Sequence, residues 1–244
     1  GKMINKKIFF SMMTMPVAIM CHNSSEWQLR RKDEKEQEEK RRLERLSKDP
    51  VDITPKDGTF KFHGMTPEQV EDEFGFKRVK VRGLLDVENE VRIQTVHRGE
   101  KGYIILNPLY THVNEKKEPC GIVVNRGFLP SDLDMTGEHL RSKRDGYFEG
   151  ILYCGDHISK YDDVLNAPSQ GYWSTVVPSD LALHFHLKNR DDSGLAMLMF
   201  VEFDEDHQTV LPSAPTIKEF VDWKNKPARH NAYHLFWKYT TYLN

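Results

Sequence analysis

Cysteine is scarce in this chain: Cys21, Cys120 and Cys154 are the three, with no CxxC or paired spacing. A disulfide framework is therefore not expected. At most Cys120 and Cys154 pair, and structural thiols are the better reading. Net charge is scarce too. Lys and Arg number 35 against 37 Asp and Glu, a formal balance of -2. No general field for polyanions follows from that, which argues against a nucleic-acid binder. Gly-rich phosphate loops, nucleophile elbows and kinase motifs are also missing.

Other polar pairs are equally sparse. Asp162-Asp163 and Asp191-Asp192 stand in turn-like stretches, where solvated carboxylates are expected. His230 and His234 have the i,i+4 spacing that grips zinc on a helix, but no third ligand or HExxH glutamate accompanies them. His184 and His186 read as a surface pair. Nothing assembles an acid, a base and a nucleophile, so no enzyme, catalytic residue or metal site is expected.

What is present divides the chain into four parts. Residues 1–25 hold an apolar run, Ile8 to Met20, behind Lys2, Lys6 and Lys7, with no charge from Ile8 to Ser25. A secretory signal, a short membrane helix and a buried helix all fit that layout. The membrane or anchor segment is the favoured reading, with the lysines on the inner side and the main domain across the bilayer. Residues 26–50 read as a charged helix, opened by a capping box at Ser25 to Gln28. Glu36 with Lys40 and Glu38 with Arg42 support it at i,i+4. Leu29, Leu43 and Leu46 are too few for a broad core face, so a solvated spacer is expected, ahead of a surface against a charged partner.

Residues 51–206 carry the folded domain. Thr66-Pro67-Glu68-Gln69 signals a short helix that ends at Gly75. From Arg78 the period becomes two. Strands are expected at Val79–Val81, Glu90–Val96, Gly102–Leu109, Cys120–Asn125, Gly146–Cys154 and Leu195–Phe203, with Gly83 marking a bulge or close packing. A helix is expected over Pro178–Leu187, capped near Ser179 or Asp180. The fold class is α+β, with an antiparallel β-rich domain forming a small barrel or sandwich-like sheet. Residues 207–244 form an aromatic-rich helical tail broken at Pro227, suited to a membrane or protein interface.

The organising stretch is Gly121 to Pro130. Ile122 to Val124 suits a buried strand, expected to end where Asn125, Arg126 and Gly127 turn the chain. This segment, Val123-Val124-Asn125-Arg126-Gly127-Phe128-Leu129-Pro130, resembles the LVNRGFVP signature of the surfeit locus protein 1 family. Phe76 to Gly83, with Asp86 and Glu90, resembles that family's YRxVxVRGxFDHxxE block, and Gly102 to Leu109 its GYxVVTPF block. Asn166, Pro168 and Trp173 resemble its NxP…W element. Trp27-Gln28 resembles the WQ that follows its first membrane helix. Tyr233-His234-Leu235 matches part of the NNHLQYAxTW block that opens its second.

The resemblance implies a β-rich domain outside the mitochondrial matrix, in the intermembrane space, anchored in the inner membrane (or the bacterial plasma membrane). It implies a role in cytochrome c oxidase biogenesis, in which haem a reaches the catalytic subunit and His234 is the candidate iron ligand. Arg126 is then either ion-paired at the strand end or grips a partner carboxylate or a haem propionate. The chain departs from the pattern around His234: Ala232 and Tyr233 replace the paired asparagines, Trp237 replaces a Tyr, and Lys238 stands where a small apolar residue belongs. No second apolar helix follows.

These departures, the charged helix and the aromatic tail favour a surfeit-like accessory subunit of complex IV in the respiratory chain. Such a subunit makes contacts with other oxidase subunits and needs no cofactor of its own. The alternative is a transient assembly factor assisting haem a insertion. A secreted domain with a cleaved signal is a third reading, favoured if the mature protein begins near His22.

Overall fold

The computed structural model describes residues 34, 36–97, 99–141, 144–155, 166–203 and 211–225. The chain divides into two compact units, residues 1–44 and 45–244. In the first, the described residues from 36 onward belong to α1 (residues 36–46). The expected i,i+4 pair is present there, Arg42 Nε donating to Glu38 Oε1 at 3.0 Å. Leu46, in the second unit, is 1 % exposed and part of that unit's core, so the expectation that it stays on a solvated spacer is corrected.

The second unit is built on seven strands: β1 (Val51–Asp52), β2 (Val79–Leu85), β3 (Val91–His97), β4 (Glu100–Val113), β5 (Pro119–Pro130), β6 (Asp145–Tyr153) and β7 (Met197–Met199). Their order is β1-β2-β6-β7-β5-β4-β3, and β2 pairs with β4 as well. That extra pairing, Leu84 with Tyr110 and Leu85 with Leu109, closes β2-β6-β7-β5-β4 into a barrel-like ring. β1–β2 and β5–β7 are parallel and the remaining pairs antiparallel. Gly83 lies where β2 turns onto β4. A Cβ there would stand 2.6 Å from the Tyr110 carbonyl oxygen, so the close-packing expectation is met.

Alternation sorts the apolar residues into two layers on opposite faces of the sheet. Val79, Val81, Ile122, Val124, Leu152 and Leu198 face one, with Phe60, Phe62 and helix α2 (Pro67–Phe74) packed over them. Val123, Ile151, Met197 and Met199 face the other, beneath α3 (Pro178–His184) and α4 (Ile217–Asn225). β5 is buried on both faces from Cys120 to Leu129, which is why its first half carries the apolar run Ile122 to Val124. α2 has the expected capping box, Thr66 with Gln69, and Pro67 in its first turn. Neither Cys120, which is buried, nor Cys154 forms a disulfide.

Among the boundaries that differ from expectation, three have a clear physical reason. β5 does not end at Asn125. It runs on to Pro130 because β4 continues beside it, with a bulge that accommodates Arg126. Only Met197–Met199 of the stretch Leu195–Phe203 forms a ladder. Leu195 and Ala196 send their N–H groups back to the Asp192 carbonyl, and Glu202 sends its own to Pro215. α3 has no side-chain cap: Val177 holds the N-cap position, Pro178 starts the helix, and Ser179 and Asp180 fall inside its first turn. No helix among the described residues is long and apolar enough to cross a membrane. The anchor expected over residues 1–25 and the tail beyond Asn225 lie outside the described residues.

Candidate functional site

Three stretches far apart in sequence meet on one side of the β3–β4–β5 sheet. At Arg126 the β4–β5 register shifts, Ile105 facing Gly127 and Leu106 facing Asn125. The extra residue of the bulge turns the Arg126 side chain inward, where it is 2 % exposed. Its Nη1 donates to Asn107 Oδ1 at 3.3 Å, and its Nη2 donates to the His139 carbonyl. Burial pushes its pKa down to about 10, although the negative charge of Glu90 pulls the other way.

Asn107, fully buried on β4, carries the network onward. Its Nδ2 donates to the carbonyls of Asp86 (2.8 Å) and Asn89 (3.0 Å), holding the turn between β2 and β3. Glu90 follows that turn, with Oε1 2.6 Å from Arg92 Nε and Oε2 3.6 Å from His139 Nε2. Arg92 Nη1 reaches Asp134 Oδ2 at 2.6 Å. Burial opposes the Arg92 charge, but Glu90 and Asp134 outweigh it and hold its pKa above the usual value. Asp134 and His139 belong to the two 3₁₀ turns that follow β5, Asp134–Thr136 and Glu138–Arg141. The network therefore fastens this connection to three strands.

Gly127 has φ +114°, and a Cβ there would fall 2.1 Å from the Ser213 carbonyl oxygen. Only glycine fits both the backbone and the space. The chain at Ser213 exchanges hydrogen bonds with Phe128 in both directions. Asn125 Oδ1 accepts the Gly127 N–H at 3.0 Å and so shapes the bulge from within.

Trp173 lies elsewhere, 6 % exposed in the apolar layer, its ring edge-on to His184 with centroids 5.3 Å apart. Asn166 seats that loop by accepting the N–H groups of Ser174 (3.1 Å) and Thr175 (3.2 Å) and donating to Asp180 Oδ2 at 3.2 Å. Burial, with the nearby His186, lowers the pKa of His184. Of the expected site residues, Asn125, Arg126 and Gly127 thus come together and Trp173 stands apart. Trp27 and His234 lie outside the described residues.

Two features escaped the sequence reading. Asp192 is not a solvated loop carboxylate: it is 2 % exposed, lies 2.7 Å from His63 Nδ1, and accepts the Phe60 N–H at 3.5 Å. Nothing local signals a partner 129 residues away. His139 also went unremarked, since a lone histidine in a polar stretch has no pattern. Arg126 is not at a strand end, because β5 continues past it.

Among the described residues, no three His, Cys, Asp or Glu side chains come together to hold a metal ion. The described motif residues do not fit a haem either. Arg126 is enclosed and directed at Asn107 and His139, and Asn107 is directed at backbone carbonyls, which leaves neither group facing outward for a propionate. The arrangement is a buried polar brace in a β-rich α+β domain, the kind of scaffold that holds a shape for binding and assembly.

The family comparison agrees with that class. The model of the SURF1 family matches residues 15–240, nearly the whole chain, and the chain belongs to this family. Among curated proteins none matches the chain at a significant level. The SURF1 family is known for cytochrome c oxidase assembly and is associated with the handling of haem a. As a family it is known for assembly and not for catalysis.

Proposed function

We propose that this chain is an accessory subunit of mitochondrial cytochrome c oxidase, a SURF1-family scaffold retained for its binding surface. One observation carries the proposal: the family blocks that hold Glu90, Asn107 and Arg126 are spent on one another inside the fold. Motif residues used this way preserve architecture and leave partner contact to the rest of the surface. The departures around His234, with Ala232 and Tyr233 before it, support the same reading.

In this reading residues 1–25 anchor the chain in the inner membrane and the charged residues that follow, as far as Glu44, act as a spacer. Residues 51–206 form the domain in the intermembrane space, and residues 207–244 with Trp27 supply contacts to oxidase subunits. Family membership itself favours the second reading, a transient assembly factor in which His234 assists haem a insertion.

The two are separated by native fractionation of detergent-solubilised mitochondrial membranes, with this chain quantified against the oxidase catalytic subunits. An accessory subunit gives near-equal stoichiometry in the mature complex. Confinement to small, sub-stoichiometric intermediates overturns the proposal, and loss of haem a in a His234→Ala strain then establishes the second reading.

A further inference from the structure

β3 forms the long outer edge of the sheet. Among the described residues, only β4 pairs with it, in an unbroken seven-residue register from Val91–Leu106 to His97–Glu100. Natural edges are blunted by charged side chains (lysine above all), proline, a bulge, brevity or a covering element. The other outer strand, β1, is two residues long. β3 (Val91-Arg92-Ile93-Gln94-Thr95-Val96-His97) has no lysine, proline or bulge, and it presents Val96 at 63 % exposure.

Its sequence is also suited to meeting itself. A two-fold axis at Gln94 is the one antiparallel arrangement that pairs all seven residues. It sets Val91 against His97, Arg92 against Val96, Ile93 against Thr95, and Gln94 against its own copy. No two like charges are opposed, and the Arg92 stem lies beside the exposed Val96. Axes at Ile93 or Thr95 pair five residues each. The Arg92 charge is already neutralised within its own protomer by Glu90 and Asp134, so bringing two copies together opposes no bare cations.

We propose that β3 is a self-association edge: two copies of this chain join antiparallel through Val91–His97 about Gln94, continuing the sheet across the pair. Closed two-fold pairing uses the same strand in both protomers and closes the β3 edge to further growth. Seven residues of strand make a small interface, so the association depends on concentration.

The test uses the full chain in its own membranes, carrying single cysteine substitutions and treated with a mild oxidant. Gln94→Cys places two thiols across the axis, at a Cα separation of about 4.5–5.5 Å that suits a disulfide. The expected result on a non-reducing gel is a band at twice the chain mass for Gln94→Cys. No such band is expected for the unsubstituted chain with its three native cysteines, or for Arg92→Cys alone. The Arg92→Cys/Val96→Cys double variant restores the band, because those positions oppose one another. Light scattering on the detergent-solubilised chain should show a dimer whose dissociation constant rises at least tenfold in Val96→Lys, a substitution at an exposed position that spares the core. A chain that stays monomeric at all concentrations overturns the proposal, as does crosslinking without this register pattern.

Discussion

Arg126 shows how a guanidinium survives inside an apolar sheet. Its fork meets one side-chain oxygen and one backbone carbonyl, both neutral, while Glu90 supplies the opposite charge nearby. Removing the guanidinium leaves Asn107 Oδ1 and the His139 carbonyl without that donor and takes one of two positive charges from near Glu90, which keeps Arg92. Arg126→Met should therefore lower unfolding free energy by about 3 kcal/mol, and Asn107→Ala by about 2 kcal/mol. Because the two share one hydrogen bond, the double variant should lose less than the sum, by about 1 kcal/mol, in denaturant titrations of the full chain. Strict additivity would show that the brace does not act as a unit. Gly127 is constrained differently, since its neighbour is backbone and no side chain is free to yield.

At the scale of elements, the loop from Asn166 to Thr175 and helix α3 are joined through His184 under the edge of Trp173. Burial holds the folded-state pKa of His184 below its ordinary 6.5. In the window between that lowered value and 6.5, the unfolded chain binds a proton that the folded chain refuses. Stability from this group is complete above pH 6.5 and is lost as pH falls through the folded value. His184→Gln should consequently lose less melting temperature between pH 7.5 and pH 5.5 than the unsubstituted chain. An equal loss in both would remove His184 from the account.

The elements were also what the sequence disclosed best. The Thr66 box announces α2, and the alternation at Val79 and Val81 announces β2, because each signal is local. β5 was mis-ended at Asn125, because a proline and a glycine look like punctuation when the neighbouring strand is invisible. The site was half legible. Resemblance singled out Asn125, Arg126 and Gly127, but the inward turn of Arg126 depends on the bulge against β4, which no single segment encodes.

For the molecule as a whole, closure rests on a very small element. β7 is three residues long, yet it joins β5 to β6, and Leu198 at its centre is fully exposed to the core and not at all to solvent. Leu198→Asp would place an unpaired charge in that layer. A loss above about 4 kcal/mol is expected, comparable with the whole stability of many domains. Limited proteolysis should then cut within both β5 and β6. Cleavage confined to β7 would show that the ring tolerates an open seam.

The position of β7 also sets an order of events during biosynthesis. β5 and β6 are complete by Tyr153, but the strand that belongs between them begins at Met197. A chain emerging from a ribosome or a translocation pore therefore exposes two adhesive edges from Tyr153 until Met197–Met199 has followed. Over that interval it has the profile of a client for holding chaperones, and a pause in synthesis just before Met197 would be the most aggregation-prone moment in its life.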